Sequence, residues 1–209
     1  MAPYIFAVIA LLVAPRYPEA KVLVDAAAAA HRPVEALDVE PLLPRSTPAF
    51  VDAIVNAVDD EGLALFNGDW GGVTARERTA YLLVAVAFNE SSFADDVATC
   101  TAKVSKARPQ DLGKSIGATQ LYQGPTWYGH TREEICDSVA LQFRLALRFL
   151  AEGHRACPGS IRGALSYYNA GPAAKCRDTM QSRRTYLTFG RLVTEAGRWP
   201  RAAAVLAQN

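Results

Sequence analysis

Eight consecutive apolar residues, Tyr81 to Phe88, follow a capping box formed by Thr74 and Glu77. A helix that is apolar on every side has no face to give to water, so it must run through the centre of a domain. The rest of the chain offers helices to surround it. Phe50, Ile54, Val55 and Val58 repeat at helical spacing from Thr47 onward, and Asn67 to Gly72 makes a turn-rich break before Thr74. Thr131 and Glu134 form a second capping box. Ile135, Val139, Gln142, Phe143, Ala146, Leu147 and Leu150 then describe an amphipathic helix ending at Gly153. Ser160 to Tyr168 reads as a short helix closed by Gly171-Pro172, and Asp178 to Gly197 as the last long one. Alternating strand patterns are scarce. The expectation is a mainly α domain over residues 49–209.

Residues 1–48 differ from the rest. Tyr4 to Ala14 is an uninterrupted apolar run of 11 residues. It is too short to span a bilayer as a helix but matches the apolar part of a secretory signal. No Lys or Arg precedes it, and Leu12-Val13-Ala14 is a loose cleavage site; a core strand or helix is the other reading. Ala26 to Ala30 is an alanine run, and Asp25 to His31 suits a short helix before Pro33, Pro41 and Pro44 stop regular structure. The segment is expected to be an Ala/Pro-rich leader or linker packed loosely on the domain.

With 209 residues, a formal net charge of +1 and half its residues hydrophobic, the chain can bury a real core but carries no basic field. Nucleic acid is therefore not an expected partner. The four cysteines, Cys100, Cys136, Cys157 and Cys176, include no CxxC pair. His154-x-x-Cys157 stands alone as a ligand pair, and neither a metal nor a cofactor is expected. An even count fits two disulfides and an oxidising compartment, with buried free thiols as the alternative. Several pairings are open; Cys157 with Cys176 and Cys100 with Cys136 is the expected one, because the first would brace the helix bearing Tyr168 and Asn169.

The polar residues that could do chemistry fall in three islands. Glu90 closes the apolar helix, and an apolar surrounding raises a carboxyl pKa towards neutrality, as a general acid needs. In the second island, Gly113 and Gly117 allow tight turns and close backbone approach to a ligand, while Ser115 and Gln120 supply hydrogen-bonding groups for sugar hydroxyls or an N-acetyl amide. In the third, Tyr168 and Asn169 sit at a helix end, where the tyrosine hydroxyl could hold the Glu90 carboxyl and the ring could stack on a sugar face. Each island alone has a bland reading: a solvated helix-end Glu, a Gly-rich loop, a core aromatic beside a helix stop.

The order Glu90-Ser91, then Gly117-Ala118-Thr119-Gln120-Leu121, then Tyr168-Asn169-Ala170-Gly171 resembles the soluble lytic transglycosylase (SLT) family of lysozyme-like muramidases, over about Thr74 to Gly171. The resemblance implies a lysozyme-like fold that cleaves the MurNAc–GlcNAc β-1,4 bond of peptidoglycan. It makes Glu90 the general acid/base and Ser91, Gln120, Tyr168 and Asn169 cleft residues. Two features depart from the family pattern. Thr119 stands where the family usually has Met, and the stretch from Glu90 to Gln120 is longer than usual and contains Cys100. Asp111-x-x-x-Ser115-x-Gly117-x-x-Gln120 is similar to the loop of phage and goose-type lysozymes, which makes Asp111 a candidate second carboxylate; a solvated loop Asp is the other reading.

The family scheme has Glu90 protonate the glycosidic oxygen while the substrate N-acetyl group stabilises the positive charge. Glu90 then deprotonates the C6 hydroxyl to give a 1,6-anhydro end. If Asp111 orients a water instead, the product is an ordinary reducing end. A non-catalytic glycan-binding or structural module of a cell-wall-crossing machine is the rival of another class. Expected partners are peptidoglycan strands, with cell-wall machinery or a phage virion as the setting. The expected state is a monomer, and the expected location periplasmic, extracellular or phage-associated.

Overall fold

The central helix forms as its sequence dictates. In the computed structural model, which describes residues 1–209 except 31, 34–35, 45, 62–64, 102–113, 200–209 and the side chain of Pro125, α4 spans Ala75–Ser91. Tyr81 to Val86 are at most 1% exposed. Both halves of the N-terminal capping box are made: Glu77 N–H donates to Thr74 Oγ1 (3.2 Å) and Thr74 N–H to Glu77 Oε2 (2.9 Å). At the other end Ser92 N–H closes on Phe88 O (2.9 Å), and Ser92 and Phe93 both take left-handed backbone, which turns the chain sharply after Glu90.

Eight further helices complete a mainly α fold among the described residues: α1 (Ala2–Val13), α2 (Pro18–Ala29), α3 (Thr47–Glu61), α5 (Asp95–Ala98), α6 (Arg132–Asp137), α7 (Val139–Ala156), α8 (Ile161–Ala170) and α9 (Met180–Gly197). Helices α1, α3, α7 and α9 pack on α4, and α7, α8 and α9 pack in sequence beside it. One small antiparallel hairpin, β1 (Ser115–Ile116) with β2 (Leu121–Tyr122), pairs Ser115 with Tyr122 and Ile116 with Leu121. Helices α7 and α8 approach closely at Gly153, where a Cβ would stand 2.8 Å from Ala164 O.

Two expectations are corrected. Residues 1–48 do not lie loosely throughout: α1 has nine buried residues, Tyr4 stacks on Trp199 with ring centroids 6.4 Å apart, and Ile5, Val8 and Ile9 join the same core as α4. The apolar run is long enough to supply a buried helix on all sides, like Tyr81 to Phe88. In addition, the helix after Thr131 is two helices. Ser138 adopts extended backbone and its hydroxyl accepts Leu141 N–H (3.1 Å), so it caps α7 afresh rather than continuing α6. The helix expected from Asp25 is the last part of a longer one, α2, which starts at Pro18 and ends at Ala29; His31 lies outside the described residues.

Both expected disulfides are present, Cys100–Cys136 with Cα atoms 5.5 Å apart and Cys157–Cys176 with 5.6 Å. The first ties the segment after α5 to α6, the second ties the end of α7 to the chain after α8. No helix among the described residues is long and apolar enough to cross a membrane.

Candidate functional site

Glu90 lies in the last turn of α4 and is partly exposed. Its Oε1 accepts a hydrogen bond from Gln181 Nε2 (3.1 Å), in the first turn of α9. Its neighbour Asn89 points the other way, into the protein, donating to Ala85 O (2.8 Å) and to Thr188 Oγ1 on α9 (3.1 Å). Thus α9 holds the end of α4 on two successive residues. Ser91 is engaged locally: its hydroxyl donates to Ala87 O (2.9 Å) and accepts Phe93 N–H (3.3 Å), shaping the turn that ends the helix.

The second island is the turn of the hairpin. Gln120 has a left-handed backbone, and both its N–H and its Nε2 donate to Gly117 O at 3.0 Å. Ser115 is partly buried on β1. The close approach that Gly117 permits is to Gln142 of α7, not to a ligand-sized space. Gln142 is fully buried and completely bonded. Its Oε1 accepts Ala118 N–H (2.7 Å), and its Nε2 donates to Ala98 O and Ile135 O, both at 2.8 Å. One side chain therefore fixes the hairpin against the two segments that Cys100–Cys136 also joins.

The third island meets the second directly. Tyr168 donates its hydroxyl hydrogen to Thr119 O at 2.6 Å. This corrects the expectation that the hydroxyl holds the Glu90 carboxyl; the carboxyl oxygen is held by Gln181. The Tyr168 ring keeps some exposure, but its hydroxyl end is desolvated. That burial first, and the nearby Glu90 carboxylate second, push the phenol far above its usual range, against the Thr119 bond. Tyr167, the adjacent residue, packs on Phe149 with centroids 5.3 Å apart. Tyr128, which was not picked out in the sequence, donates to Glu152 Oε1 (2.7 Å), and its phenol is likewise raised, by burial and then by that bond.

Asn169 Nδ2 is buried with no hydrogen-bond partner among the described residues. Buried amide donors are rarely left unpaired, and this one, one residue on from Tyr168, is enclosed by the protein and out of a ligand's direct reach. Asp111 and Gly113 lie outside the described residues. Cys157 is in a disulfide, which removes His154-x-x-Cys157 as a ligand pair. Among the described residues no group of three or more His, Cys, Asp or Glu side chains could hold a metal.

Two cavities, of about 390 and 510 Å³, flank the end of α4 on the side of α1 and share Leu12, Pro15 and Phe88 as lining. Glu90, Gln120 and Tyr168 do not line them. Gln181 and Gln142 are the site-building residues that the sequence did not reveal as such. Gln142 carried a signal, a lone amide within an otherwise apolar helix face; Gln181 carried none beyond its place next to the helix start. No protein-family model, curated protein or solved structure matches the chain.

Proposed function

We propose that the chain is a peptidoglycan lytic transglycosylase of lysozyme-like fold, cleaving the MurNAc–GlcNAc β-1,4 bond with Glu90 as general acid and then general base. The observation that carries this reading is the convergence at Tyr168. That residue of the third island bonds Thr119 of the second and lies in the field of the Glu90 carboxylate of the first. A bond thus joins the second and third segments, with the charge of the first felt at the same tyrosine.

Glu90 suits the first step, as a partly exposed carboxylic residue at the end of a helix whose middle, Thr79 to Ala87, is buried. Protonation of the glycosidic oxygen leaves positive charge on the MurNAc ring, which the substrate's own N-acetyl group stabilises. The resulting Glu90 carboxylate takes the C6 hydroxyl proton as that oxygen closes on the anomeric carbon. The two disulfides suit an oxidising periplasmic or extracellular setting.

Digestion of purified peptidoglycan, followed by mass analysis of the released muropeptides, tests the reading. Products lacking one water relative to hydrolysed ones are expected from the wild type and none from Glu90→Gln, which keeps the shape but cannot donate the proton. Hydrated products would make the enzyme a lysozyme. Binding of strands without cleavage would leave a glycan-binding module.

A further inference from the structure

We propose that Gln181 is the positioning residue of the Glu90 carboxyl group, fixing its orientation through Oε1. The catalytic consequence rests on the reading of Glu90 given above; the positioning itself rests only on geometry. Gln181 Nε2 stands 3.1 Å from Glu90 Oε1 and 3.5 Å from Asn89 O, so one amide group reaches both the side chain and the backbone at the end of α4.

The amide is delivered by a helix start that is itself held. Thr179 caps α9 through Ser182 N–H (3.0 Å), and Thr179 N–H returns to Ser182 Oγ (2.9 Å). Ser182 is fully buried, and its hydroxyl meets Ser166 Oγ of α8 (2.9 Å). Further along α9, Thr188 takes the Asn89 amide. Gln181 is therefore bracketed by contacts to α8 on one side and α4 on the other, which leaves its backbone little freedom to move the donor away.

An N–H donor on one carboxyl oxygen acts in both protonation states. In the carboxylate it stabilises the charge and lowers the pKa. In the acid it favours the tautomer in which Oε1 is the carbonyl oxygen. A neutral amide permits both states, as a group that first gives and then takes a proton requires; a cation at the same place would hold Glu90 ionised. Tyr168 on α8 is a titratable neighbour in the field of Glu90, and its raised phenol stays protonated where a carboxyl titrates. On α9, Arg183 lies 4.0 Å from Asp178, and Arg184 is exposed one turn on from Gln181.

The test compares wild type, Gln181→Met and Gln181→Glu, by carboxyl-carbon NMR titration of Glu90 and by turnover of purified peptidoglycan. Loss of one hydrogen bond to a charged group should move the Glu90 midpoint upward by about one pH unit in Gln181→Met. In Gln181→Glu, a like charge should move it at least as far. Turnover at saturating substrate is expected to fall about tenfold or more in Gln181→Met with KM little changed, as loss of carboxyl alignment predicts. A Glu90 midpoint unchanged in both variants overturns the inference, whatever the activity. A shifted midpoint in a protein whose wild type cleaves no glycan keeps the positioning and overturns the glycosidic reading instead.

Discussion

Gly117 leaves the space that the Gln142 side chain fills: a Cβ at Gly117 would stand 2.6 Å from Gln142 Cδ, on a backbone with φ of +75°. The two demands coincide, since the left-handed turn and the missing side chain are both needed for the Gln142 amide to reach Ala118 N–H.

Gly117→Ala should therefore destabilise by about 1–3 kcal/mol, from overpacking together with backbone strain. Gln142→Leu should cost about 3 kcal/mol or more, because Ala118 N–H and Ala98 O lose their partner in the interior and Ile135 O keeps only the long bond from Ser138 N–H (3.4 Å). Urea melts of both variants measure this. Equal stability of Gln142→Leu and wild type would mean that water replaces the amide.

The disulfides differ in the chain they close, with separations of 36 residues for Cys100–Cys136 and 19 for Cys157–Cys176. Each should contribute about 2–4 kcal/mol, and on chain entropy alone the wider one exceeds the narrower by about 0.6 kcal/mol. Paired Cys→Ala variants, melted without reductant, are expected to rank in that order. Titration of the unreduced, denatured wild type should find no free thiol among these four.

The helices were legible where chemistry is local. Thr74 with Glu77 and Thr131 with Glu134 announce helix starts whatever the fold around them, and Tyr81 to Phe88 can only be central. Ser138 was not legible as a break, because a serine within an apolar repeat is compatible with either a solvent-facing helical position or a cap. The run from Tyr4 carries the same pattern as a core helix and as the apolar part of a signal, and only packing distinguishes them. At the site, residue type identified Glu90, Gln120, Tyr168 and Asn169 as candidates, but not the direction of their bonds. That Tyr168 turns to Thr119, and that Gln181 takes the Glu90 oxygen, depends on how α8 and α9 cross α4, which no spacing in the chain encodes.

The place of α1 in the core has a direct consequence. Ile9 is 1% exposed within a cluster that includes α3 and α4 residues. Ile9→Ala should destabilise the full chain by about 2–5 kcal/mol, through lost transfer energy and the cavity left behind. Denaturant melts of the intact protein measure it. A change within about 0.5 kcal/mol, ordinary for surface sites, would show that residues 2–13 do not belong to the folded core.

Tyr168 and Tyr128 give the protein an alkaline limit, and Tyr168 links that limit to the site. Both phenols are raised above the ordinary value of 10.0, so above that pH the unfolded chain releases protons that the folded one retains. The folded state then binds more protons than the unfolded state, and stability must fall as pH rises past 10.0, by up to about 1.4 kcal/mol per pH unit for Tyr168 and by less for the partly exposed Tyr128, where solvent screens the effect. Below that pH neither phenol contributes a slope. Tyr168→Phe should remove the larger part of this alkaline slope, while at neutral pH it costs about 1–3 kcal/mol because the Thr119 carbonyl loses its donor. Its turnover on peptidoglycan should fall as well, since the Thr119 turn and the surroundings of Glu90 are no longer joined. Tyr167→Phe is the control, with its ring on Phe149 and no bond to Thr119. Stability melts at pH 7 and 11, with turnover measured on the same preparations, check the set. Damage from Tyr167→Phe with Tyr168→Phe silent in both measurements would remove Tyr168 from the site.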